Sequence, residues 1–102
     1  TPENAVKEFY RRVEKGDEAA IDIISKELIA AFGVNKFKKP FKEQKEKMEK
    51  KGGIASFDFQ NKRVKDDSVT MDVVVTYKNG DTQKEKIKMI KEDGDWKATI
   101  SK

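Results

Sequence analysis

Glu85 is the residue in this chain best placed to do acid–base chemistry. Alternation along its segment puts it on the same face as Tyr77 and Gln83. A carboxylate buried there would have its pKa raised and would serve as a general base, with Tyr77 or Tyr10 as hydrogen-bond donor. The plainer reading is that Glu85 lies near a strand end and reaches water. Tyr10 and Trp96 carry amphipathic rings that could line a small apolar pocket, although such rings more often fill a core.

The second candidate is cationic. Residues 28–53 hold eight lysines and three glutamates, a net +5, against −2 for residues 1–27 and +1 for residues 54–102. On a helix Lys38, Lys42 and Lys45 share a face, with Lys39 beside it. Such a face suits weak, salt-sensitive contact with an anionic membrane. Glu43, Glu46 and Glu49 are expected on its flanks. Glu43–Lys47 and Glu46–Lys50 also have the i,i+4 order of an ordinary solvated helix. No arginine cluster, phosphate-binding glycine loop or exposed aromatic row supports sequence-specific nucleic-acid binding.

Other chemistry is narrowed by composition. There is no cysteine and no histidine, which removes disulfides, thiol catalysis, cysteine-based zinc sites and the commonest neutral-pH proton carrier. Asp66-Asp67 and Asp93-Gly94-Asp95 read as turns and lack calcium-loop spacing. No metal and no cofactor are expected.

The elements that must position these groups are set by periodicity. Charged residues make up 41% of the chain and hydrophobic ones 35%, but the hydrophobic residues recur regularly, which indicates one folded domain over residues 1–102. Thr1-Pro2-Glu3 is a helix start, and Val6, Phe9, Tyr10 and Val13 come next at helical spacing up to Gly16. Asp17 caps a second predicted helix carrying Ala20, Ile21, Ile24 and Leu28, which fades before Gly33. A lysine-rich loop with Phe37 comes after it. Pro40 opens a third helix, Phe41 to about Lys51, anchored by Phe41 and Met48 and closed by Gly52-Gly53.

From Ile54 the period becomes two. Four strands are predicted, with turns at Asp66-Asp67, Asn79-Gly80 and Asp93-Gly94. Parity makes the turns specific. A three-residue loop Lys78-Asn79-Gly80 pairs Met71 with Ile87 and Val69 with Met89. A two-residue loop at Asp93-Gly94 pairs Met89 with Ala98 and Ile87 with Ile100. Val64 faces Val69 only if a β-bulge falls within Gln60–Arg63. The expected core is Phe9, Val13, Ile21, Ile24, Met71, Val73, Ile87, Met89, Trp96 and Ala98. The other sheet face carries Lys84, Lys86 and Lys88, which would be costly to bury unpaired. A monomer or weak dimer is therefore expected.

Three helices and then a four-stranded meander, an α+β arrangement, resemble the nuclear-transport-factor-2-like (cystatin-like) architecture. The residues carrying this are Pro2-Glu3-x-Ala5-Val6-x-x-Phe9-Tyr10, Lys15-Gly16-Asp17-x-x-Ala20, Asp67-Ser68-Val69-Thr70-Met71-Asp72-Val73 and Glu92-Asp93-Gly94-Asp95-Trp96-Lys97. Within that superfamily the chain is most similar to small bacterial lipoprotein domains of unknown function, grouped as lumazine-binding-like. The resemblance implies a curved sheet forming a cone with the helices. Isomerases and dehydratases of the superfamily work in that cone with buried Asp, Tyr or His. It also implies an extracytoplasmic protein, anchored to the membrane through a leader ahead of Thr1. The expected role is a non-catalytic binding or accessory domain for a small ligand or protein. The alternative is a small-molecule isomerase or dehydratase using Glu85.

Overall fold

In the computed structural model, residues 1–99 are described; the expected Ile87–Ile100 pair lies outside them. The first helix, α1 (Pro2–Lys15), starts as its sequence requires. The Thr1 hydroxyl accepts a hydrogen bond from the Asn4 amide at 3.1 Å, and Pro2 occupies the first turn. Gly16 ends it in the left-handed region, φ 70°. Its buried face is Val6, Tyr10 and Val13, while Phe9 is only half-buried.

The second predicted helix is two pieces. Asp17 does cap, accepting from the Ala19 amide at 2.9 Å, but the segment it opens is a 3₁₀ helix, Glu18–Ile23. Ile24 and Ser25 are then extended, and α2 (Lys26–Phe32) begins with the Ser25 hydroxyl as cap. The break has a long-range cause. Ile24 forms a parallel bridge with Ala98, and the Ser25 amide donates to the Ala98 carbonyl at 2.8 Å. Strand-like pairing at that point is incompatible with a continuous helix.

The third helix, α3, spans Asn35–Lys50, so Phe37 and Pro40 are helical rather than in a preceding loop. Its first turn is tight: the Lys36 amide reaches the Gly33 carbonyl and the Phe37 amide the Val34 carbonyl. Pro40 leaves the Lys36 carbonyl without its helical donor. Both residues are exposed. Phe37 stacks obliquely on Phe41, ring centres 6.0 Å apart.

Strands β1 (Ile54–Lys65), β2 (Ser68–Tyr77), β3 (Thr82–Glu92) and β4 (Asp95–Thr99) form an antiparallel meander in chain order. The predicted registers are present: Met71 with Ile87, Val69 with Met89, Met89 with Ala98, and Val64 with Val69. Gly80 is left-handed at φ 93°. The register of β1 shifts between Gln60 and Arg63, with Asn61 at φ 54°. A second shift falls between Ile54 and Ser56, where parity gives no sign of one.

Val69, Met71, Val73, Val75, Tyr77 and Met89 face the helices and are buried, as is Met48 of α3. Phe9, Ile21, Ile87, Trp96 and Ala98, expected at the centre, are only partly buried. Tyr10, Met48 and Tyr77 take the central places. Trp96 lies on the short last strand, where the helix layer covers it incompletely, and Lys91 sits 5.9 Å from its ring centre.

Candidate functional site

Strand parity puts Tyr77, Gln83 and Glu85 on the inner sheet face, and α3 brings Gln44 to the same place. The Tyr77 hydroxyl donates to Gln83 Oε1 at 2.9 Å, and Gln44 Nε2 donates to the same oxygen at 3.2 Å. Gln83 Nε2 donates in turn to Glu85 Oε1 at 3.0 Å. A chain of donors thus runs from the Tyr77 phenol to the Glu85 carboxylate. Tyr77 is fully buried, but Glu85 is exposed. The burial that a general base needs here is missing.

Tyr10 is buried as well, 6% exposed. Burial, and then the Glu85 charge, push its phenol well above the ordinary tyrosine range. Burial also raises Tyr77, against the hydrogen bond from Gln44. Both shifts disfavour ionisation in the fold. Above pH ~10 the unfolded tyrosines lose protons that the folded ones keep, so stability falls as pH rises. The expected result is a urea midpoint that declines above pH ~10, less steeply in Tyr10→Phe. A midpoint that stays level to pH ~11 would contradict the assignment.

Trp96 is not part of this network. It lines a separate polar cleft of about 680 Å³ with Glu8, Arg11, Arg12 and Lys97.

A second cleft, of about 660 Å³, opens on the helix side, between α3 and the junction of α1 with the 3₁₀ helix. Val13, Ile21, Val34, Phe37 and Phe41 form its floor. Lys38, Lys42 and Lys45 line it from α3, as the shared helical face requires; Lys39 does not, and stands 3.9 Å from Glu43. The glutamates are not confined to the flanks. Glu46 and Glu49 line the same cleft, and Lys45 bonds Glu49 across one turn. The Lys45 stem also crosses to Gly16, where a β-carbon would sit 2.9 Å from its Cε.

A loop reading of the lysine-rich segment hides this cleft, because it takes Phe37 off the helix and parts Val34 from the helix start. The spacing Val34, Phe37, Phe41 is the i, i+3, i+7 pattern of a helix face, and is the signal that reveals it.

The same arrangement of helices and sheet occurs in a known protein. A solved structure from Campylobacter jejuni, described as a "putative NTF2-like transpeptidase", superposes with a TM-score of 0.85 at 21% identity, covering 99% of each chain. At that identity the likeness shows the fold, which is nuclear-transport-factor-2-like. No curated protein matches the sequence. A family model does match, over residues 1–99, and the chain therefore belongs to DUF4878, a domain of unknown function.

Proposed function

We propose that this is a non-catalytic binding or accessory domain, that it acts outside the cytoplasm, and that it binds through the helix-side cleft rather than the cone. One observation carries the choice of cleft. The inner sheet face is packed shut by Tyr10, Met48 and the alternate residues of β2, whereas the apolar floor of the cleft is open. A volume of about 660 Å³ lies within the ordinary range for small-ligand sites. The extracytoplasmic placement rests on the similarity to lipoprotein domains.

The transpeptidase name of the structural neighbour implies acyl transfer, which needs a nucleophile beside a base. This chain has no cysteine. Ser25 is fully buried, and its hydroxyl accepts from the Leu28 amide and donates to Thr99. The alternative with a structural foothold is an isomerase or dehydratase using Glu85, favoured by the Tyr77–Gln83–Glu85 donor chain.

Amide NMR titration with an anilinonaphthalene sulfonate probe separates the two. Shifts are expected at Val13, Ile21, Phe37 and Phe41. Shifts centred instead on Tyr77, Gln83 and Glu85 would move binding to the cone and favour the enzyme.

A further inference from the structure

The helix α2 is built unlike its neighbours. Exposed positions of α1 and α3 are mostly charged, as on any solvated helix. In α2 only the first turn is charged. Lys26 pairs with Asp93 at 2.7 Å, and its amide donates to the Glu92 carboxylate, so this end is tied to the β3–β4 turn. Beyond Glu27 the chain is uncharged from Leu28 to Asn35, a long interval in so charged a sequence. Leu28 is buried, but Ala30, Ala31, Phe32 and Val34 all face solvent. Phe32 is 50% exposed and Val34 46%, two of the three large hydrophobic residues left open among the described residues. They flank Gly33, whose φ of 79° makes the corner between α2 and α3.

The surroundings of this corner are cationic. Lys36, Lys38, Lys39 and Lys42 come within two turns of α3. Among the described residues, only Lys39 of these four has a carboxylate within 4.0 Å. Exposed apolar side chains beside largely unpaired lysines match the two layers of an anionic membrane surface, headgroup phosphate outside and acyl chain within. No helix among the described residues is long and apolar enough to cross a membrane, so the contact is interfacial. A second copy of the chain is a poorer occupant. A two-fold contact here would bring the same lysines face to face.

We propose that the α2–α3 corner, with Phe32 and Val34 at its tip, inserts into the interface of an anionic lipid bilayer while Lys36, Lys38, Lys39 and Lys42 lie against the headgroups. Val34, Lys38 and Lys42 also line the helix-side cleft, whereas Phe32 does not, so a probe at position 32 reads the membrane contact apart from cleft binding.

The absence of cysteine makes the test specific. A Phe32→Cys variant takes an environment-sensitive dye at one site, and Val64→Cys, on β1 and 66% exposed, supplies the control. Phosphatidylglycerol vesicles at low salt are expected to blue-shift the dye at position 32 and leave that at position 64 unchanged. Physiological salt should weaken the effect. Lys38→Gln with Lys42→Gln should lower partitioning roughly 25-fold. Run without vesicles, the protein should sediment as a monomer or weak dimer. The proposal is overturned by no shift at position 32, by equal shifts at both positions, or by equal partitioning into phosphatidylcholine vesicles. A tight dimer that shifts the dye without lipid would assign the corner to self-association and overturn it as well.

Discussion

Replacing Tyr10 by alanine will destabilise the fold by about 3–5 kcal/mol, while Tyr10→Phe will stay within about 1 kcal/mol of the parent protein. The contrast arises from the different tasks of the two ends of the side chain. The ring sits in a row of aromatic contacts that links the helices to the sheet. Phe37 meets Phe41 at 6.0 Å, Phe41 meets Phe9 at 5.5 Å, and Phe9 meets Tyr10 edge-on at 5.9 Å. Tyr10 then meets Phe57 at 5.7 Å and Phe57 stacks on Phe59 at 6.4 Å. Removing the middle ring leaves a cavity and breaks the row, and each such pair adds roughly 0.5–1.5 kcal/mol beyond burial. The hydroxyl is not left buried without a partner, so phenylalanine loses little. Against a typical stability of about 5–15 kcal/mol, the alanine variant stands close to unfolding at room temperature. Urea denaturation reads both variants. Equal midpoints for Tyr10→Ala and Tyr10→Phe would mean that the ring is not packed as described.

Met48→Ala should cost about 2–5 kcal/mol, and Met48→Leu less than about 1.5. Met48 is 0% exposed and is the sole buried residue of α3. Other contacts of that helix are half-exposed, among them Phe41 against Phe9 and Gln44 against Gln83. The loss should therefore be local as well as global. Native-state hydrogen exchange in Met48→Ala is expected to accelerate along α3 more than along α1. Uniform acceleration of both would show that α3 is held by more than this one side chain.

Most of the sheet is legible in the sequence because two independent constraints agree. Alternation places Val69, Met71, Val73, Val75 and Tyr77 on one face, and turn parity then allows only one register for each hairpin. The bulge near Asn61 comes out of the same counting. The second bulge, at Ile54–Ser56, leaves no such trace, since few apolar residues precede it. The helical layer is less legible because its breaks are set by partners remote in sequence. Nothing local announces that Ile24 will pair with Ala98 in preference to continuing a helix. Pro40 suggests a start that the Gly33–Val34 turn has already supplied.

The candidate sites divide in the same way. Parity puts Glu85 on the inner face correctly, but parity does not set burial, and Glu85 is exposed. Helical spacing brings Lys38, Lys42 and Lys45 to one cleft. The same spacing carries Glu49 there too, because it lies four residues beyond Lys45.

The parallel bridge from Ile24 to Ala98 also bears on how the chain acquires its shape. Ser25 and Thr99, joined by a hydrogen bond, are 74 residues apart. The 3₁₀ helix and α2 cannot settle until the last strand has been made and docked, since that strand defines where the helix must break. Closing so long a loop is an entropic cost met before its contacts form, and it slows folding. During synthesis the segment around Ile24 and Ser25 therefore waits for β4, 74 residues later. The final strand, short as it is, is the clasp that sets the arrangement of the amino-terminal segment.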